Sequence, residues 1–89
     1  MITDAERDFI RHALGLNNGK IGHRNFYRAG GDDAEIGRSL VCKGMAIELP
    51  PTEGYPDPCF LISSSGFRAA AKPGEKMDPE ETTMMARHD

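Results

Sequence analysis

The residues able to do chemistry are few and widely spaced. Cys42, Cys59, His12, His23, His88 and the run "SSSG" at Ser63–Gly66 hold the nucleophiles and the nitrogen and sulfur ligands. None of the cysteines or histidines stands at the C-x-x-C or H-x-x-x-H spacing that brings ligands to one metal. No metal or cofactor is therefore expected, and both thiols read as small apolar fillers. The serine run lacks the G-x-S-x-G frame of a nucleophile elbow; a helix N-cap and its first turn account for it. "GKIGH" and "AGGDD" lack the G-K-[ST] ending of a phosphate loop. No enzyme is expected from this inventory.

Binding chemistry has better material. "KIGHRNFYR", Lys20–Arg28, interleaves cations with two aromatics, a pattern able to neutralise phosphates and stack bases. Phe26 and Tyr27 read first as core residues of a short strand. That leaves Lys20, Arg24 and Arg28 as candidate nucleic-acid contacts, with His23 joining below neutral pH and Arg38 from a later helix. The other candidate surface is for a protein partner or a second copy of the chain. It would use Cys59 and Leu61 on the outer face of a hairpin, and Met84 and Met85 in the C-terminal segment, where flexible side chains can dock.

The totals bound these readings. Eighty-nine residues make one domain at most. The net charge is −3, unlike a dedicated nucleic-acid coat. It divides as +2 over residues 1–31, −3 over 32–71 and −2 over 72–89, so an anionic partner would meet the first third. Two cysteines are too few for a disulfide scaffold. The absence of a leader pattern or a bilayer-length apolar run predicts a reduced, cytoplasmic protein that does not enter a membrane.

The elements that must position these residues follow from caps and periodicity. Thr3-Asp4-Ala5-Glu6 is a capping box opening a helix over 4–14. Its inner face is Ala5, Phe9, Ile10, Ala13 and Leu14, and its solvated face is Asp4, Arg7, Asp8 and Arg11. Asn25–Arg28 reads as extended. Asp32 or Asp33 caps a second helix, 33–43, with Ile36, Leu40 and Val41 on one face and Glu35, Arg38, Ser39 and Cys42 outward. Gly44 ends it. Met45, Ile47 and Leu49 alternate with Ala46 and Glu48 in a strand over 45–49, and Phe60 and Ile62 face the core from a strand over 59–63. Ser63 caps a helix over 64–71. Residues 72–89, broken by Pro73, Gly74 and Pro79, read as a flexible C-terminal tail, disordered when free.

"LVCKGMAIEL" joined to "FLISSSGFRAA" resembles the closing half of a winged helix-turn-helix module. In that family a recognition helix ends on an "LV-x-K-G" type sequence, two strands form the wing, and a "T/S-x-x-G-x-x-A" segment opens the next helix. The matching residues are Leu40, Val41, Lys43 and Gly44, then Phe60, Ile62, Ser63, Gly66 and Ala69. The resemblance implies a small α+β winged-helix-like domain over 1–71, with three short helices, a two- or three-stranded antiparallel sheet, and DNA as a candidate partner. Residues 17–31, where the family has a second helix, leave two arrangements open: a short degenerate helix, or a strand added to the hairpin. The helix N-terminus, Asp32-Asp33-Ala34-Glu35, opposes the usual docking into DNA. The segments Arg11–Leu16, Arg24–Gly30 and Leu40–Gly44 are also similar to short uncharacterised phage and prophage proteins of proteobacteria. That likeness implies an accessory protein, with no activity attached.

Overall fold

The computed structural model describes residues 1–54 and 56–87; Tyr55, His88 and Asp89, two loop or tail positions and a histidine weighed above as a ligand among them, lie outside the described residues. Thr3 Oγ1 accepts from the Glu6 backbone N–H at 3.0 Å, and Glu6 Oε1 accepts from the Thr3 N–H at 2.8 Å. The predicted capping box thus opens α1, Asp4–Leu14, which Gly15 closes. A 3-10 turn, Leu16–Asn18, leads to β1, Ile21–Gly22, and β2, Tyr27–Arg28. There follow α2 (Asp32–Cys42), β3 (Ala46–Leu49), β4 (Cys59–Ile62), α3 (Ser64–Ala70), β5 (Lys76–Met77) and α4 (Pro79–Ala86). The fold is a small α+β domain. It has four helices among the described residues, one more than expected.

β2, β4 and β3 form an antiparallel sheet in that order, while β1 and β5 pair in parallel. The question left open over 17–31 is answered by a strand. Tyr27 stands opposite Phe60 and Arg28 opposite Cys59. Just before them, the Asn25 side-chain amide bonds both the N–H and the carbonyl of Ile62, at 2.7 and 2.9 Å.

The handover from α2 to β3 takes place without a loop. Gly44, at φ 75°, occupies the left-handed conformation that side chains resist. This lets the Met45 N–H turn back to the Leu40 carbonyl at 2.9 Å before the strand begins. α1, α2 and α3 pack around the inner face of the sheet, over a core that includes Ile10, Leu14, Leu40, Phe60 and Ile62.

Five expectations change on contact with the structure. Gly31, rather than either aspartate, occupies the α2 N-cap; the Asp33 carboxylate instead accepts from the Tyr27 hydroxyl at 3.0 Å. The inner face of α2 is Ala34, Gly37 and Leu40, while Val41 is exposed. Ser39 turns inward and donates to Glu6 at 2.6 Å. β3 has the opposite phase to its apolar alternation: Ala46 faces Ile62 and Glu48 faces Phe60 on the inner side. The reason is the close approach of α2. A Cβ on Gly37 would lie 2.7 Å from the Phe60 ring, so Phe60 takes the space under the helix; opposite it, Ala46 is small and Glu48 reaches Arg38 at the margin.

The fourth change concerns α1. Of its expected solvated face Arg11 is only 7% exposed, and Glu6 is buried as well at 3%, while Ala5, expected on the inner face, is exposed. The last is the C-terminal segment. Lys76 and Met77 pair with β1, Asp78 and Pro79 start α4, and Met85 is 2% exposed. The expected free tail therefore packs on the body, because Arg11 captures Glu75 with both guanidinium nitrogens, Nη2 at 2.6 Å from Oε2.

Gly37→Ala adds helix propensity of about 1 kcal/mol. The fully buried Phe60 has no room to yield, and overpacking of about 1–3 kcal/mol opposes that gain; urea melts are expected to record net destabilisation. Glu75→Ala leaves Arg11 buried and unpaired, which costs roughly 3 kcal/mol, with faster amide exchange over 76–86. Both Glu6 and Glu75 are held at about 2 against the usual 4.5, through the hydrogen bonds from Lys43 and Arg11 respectively. Folding lowers both values, so their contribution is complete above about pH 4.5 and lost as pH falls toward 2. Urea midpoints measured across that window should fall, and fall less in Glu75→Gln.

Candidate functional site

The cationic residues picked out by sequence are largely engaged within the fold. Arg24 donates through Nε and Nη2 to the His12 carbonyl, at 3.2 and 2.7 Å, satisfying an orphan acceptor at the end of α1. Arg38 bonds Glu48 at 3.1 Å, which holds its proton more firmly than usual through that hydrogen bond. Arg28 donates to the Asp57 carbonyl at 3.4 Å. His23 lies over Gly15, where its ring fills the space a Cβ would need. Lys20 is exposed beside β1. Arg28 is on β2, whereas Arg38 is on α2 and tied to Glu48 of β3, at the opposite edge of the sheet. These five side chains thus do not converge on one basic surface.

The partner-surface residues divide. Cys59 and Leu61 do lie on the outer side of β4, since Phe60 and Ile62 are the fully buried pair. Met84 is exposed, but Met85 is core and presents nothing to a partner. Strand register adds neighbours that sequence reasoning set elsewhere. Leu49 pairs with Cys59, Ile47 with Leu61, and Arg28 flanks Cys59 on the other side. Phe26, two residues before Arg28, is 54% exposed. The outer face of the sheet is therefore an apolar surface of Ile47, Leu49, Cys59 and Leu61, with Phe26 beside it and Arg28 at a corner.

A second feature was missed. Between α1 and α2 lies a cleft of about 570 Å³ lined by Ala5, Asp8, Phe9, His12, Asn17, Tyr27, Asp33 and Ile36. Tyr27 stacks on Phe9 with ring centroids 4.6 Å apart and interplanar angle 19°, and lies 4.6 Å from the His12 ring. Burial, then the bond to Asp33, pushes the Tyr27 hydroxyl above its ordinary value, so it remains a donor at neutral pH. Asp8 and His12 are one helical turn apart, a spacing that places them on one face. What brings Tyr27 and Asp33 to them is the pairing of β2 with β4, which no local pattern announced. A shallower depression of about 480 Å³ nearby contains Glu6 and Lys43, already joined at 2.6 Å.

Among the described residues no three of His, Cys, Asp and Glu gather to hold a metal. No helix among them is long and apolar enough to cross a membrane. No protein-family model, curated protein or solved structure matches the chain.

Proposed function

We propose that this chain is a non-enzymatic assembly module that self-associates through the outer face of its three-stranded sheet. The observation that carries the reading is the run of Ile47, Leu49, Cys59 and Leu61 on the sheet side opposite the helices. Antiparallel sheets tolerate water on one face when that face is polar; contiguous apolar residues there mark a contact surface. The scaffold is winged-helix-like in this proposal. The order α1, β2, α2, β3, β4, α3 and the strand order β2-β4-β3 support it, with a strand alone where the family has strand and helix. An accessory protein of a phage or prophage is a fitting setting for such a module.

A second copy is the occupant favoured by charge. Two sheets packed face to face about a two-fold axis parallel to the strands place β2 of one over β3 of the other, with layers ~10 Å apart. Arg28 then approaches the turn that follows Leu49 in the other copy, where Glu53 is exposed. The three-strand face spans roughly 14 Å by 14 Å from standard strand spacings. That is well below the roughly 800 Å² per partner of a stable complex, so association is weak and reversible. The competing reading, nucleic-acid binding through Lys20, His23, Arg24, Arg28 and Arg38, is less well supported because Arg24 and Arg38 already serve the fold.

Sedimentation equilibrium tests the proposal. The average mass should rise from monomer toward dimer between about 10 μM and about 1 mM, the range of weak association. Leu49→Asp with Leu61→Asp should hold it at monomer while leaving the far-UV spectrum native. A wild-type chain monomeric throughout that range, or a folded double variant that associates equally well, overturns the reading.

A further inference from the structure

We propose that the cleft between α1 and α2 is a binding site for a guanidinium group. It lies on the helical side of the sheet, away from the apolar face, and the two proposals stand independently. The cleft falls within the usual volume range of small-ligand sites, about 300–1,000 Å³. Its polar lining is rich in acceptors. Asp8 and Asp33 are both exposed; among the described residues neither makes a hydrogen bond or close ion pair to a cation, and Asp8 acts on Arg11 only through longer-range attraction. Asp33 accepts from the Tyr27 hydroxyl through Oδ2, which leaves Oδ1 and the Tyr27 oxygen lone pairs available. Asn17 is a further polar residue of the lining.

The apolar lining selects among cations. Tyr27, stacked on Phe9, and Ile36 line the same space. A planar, weakly hydrated cation gains from aromatic contact and spans two carboxylates with its fixed fork of donors. A compact ammonium keeps its hydration more tightly and loses more on entering. Anions are repelled by both aspartates. His12, in ring contact with Tyr27, is the remaining titratable group on the wall. The bound group would be either a free guanidine or the arginine side chain of a peptide; the chemistry of recognition is shared.

Amide NMR titration of the intact protein with n-butylguanidine at pH 7.5 and low salt tests this. Shifts are expected at Asp8, Phe9, His12, Tyr27, Asp33 and Ile36, with a millimolar dissociation constant weakened by added salt. N-butylurea, similar in size but uncharged, should leave those amides unmoved. Asp8→Asn with Asp33→Asn should weaken n-butylguanidine at least about tenfold. Both positions are exposed, and a native far-UV spectrum distinguishes lost binding from lost folding. The capped peptide acetyl-Gly-Arg-Gly-amide binding tenfold tighter than n-butylguanidine would identify a peptide arginine as the occupant; equal or weaker binding would identify a free guanidine. Four results overturn the proposal: no shifts with n-butylguanidine, equal shifts with N-butylurea, n-butylamine binding as tightly as n-butylguanidine, or a folded double variant that binds unchanged. None of these bears on sedimentation of the wild-type chain.

Discussion

Arg11 leaves the last turn of α1 and enters the interior, where it reaches three separate pieces of chain. Nη1 donates to the Ala70 carbonyl at the end of α3, Nη2 to the Leu16 carbonyl, and both to the Glu75 carboxylate. A guanidinium withdrawn from water is tolerable only if its donors are met and its charge opposed. Its fork geometry allows one residue to satisfy two carbonyls and a carboxylate together. The rest of the C-terminal structure follows from this capture. With Glu75 fixed, Lys76 and Met77 lie alongside Ile21 and Gly22, Asp78 starts α4, and Met85 drops into the core.

Glu6 does the corresponding work at the other end of α1. It accepts from the Thr3 N–H, from Ser39 and from Lys43, so one side chain both caps α1 and pins α2 to it. Among the described residues every buried side-chain nitrogen and oxygen has a partner. In a chain this short the apolar core is limited, and two buried charge clusters specify how its helices sit. Most of the chain's arginines named as binding candidates are likewise engaged within the fold. Arg11, Arg38 and Lys43 have carboxylate partners, and Arg24 is spent on a carbonyl.

What remains for binding is of two opposite kinds, separated by the sheet. The outer face is apolar and nearly neutral, suited to another protein surface. The helical side opens into an acidic cleft with aromatic walls, suited to a cation. Both depend on β2. Its Tyr27 builds the cleft on the inner side, and Arg28 closes a corner of the apolar face on the outer side. A two-residue strand, held in register by the Asn25 amide on Ile62, thus divides the molecule's two candidate surfaces.

The sequence by itself determined the local elements. The capping box at Thr3–Glu6, the glycine at 44 and the Ser63 cap, whose Oγ accepts from the Gly66 N–H, act over three or four residues and leave a direct chemical signature. Phe60 and Ile62 as core, with Cys59 and Leu61 outside, followed from the two-residue period of a strand. Only the tertiary structure decided which way β3 faces, because its register against β4 sets Ala46 and Glu48 on the side of Ile62 and Phe60, against its apolar alternation. Only it decided the fate of Arg11 and Glu75, 64 positions apart, since a charge reads as solvated until a distant opposite charge meets it. The C-terminal segment looked free for that reason, and the cleft of Asp8, His12, Tyr27 and Asp33 stayed hidden because strand pairing, rather than spacing along the chain, brings its walls together.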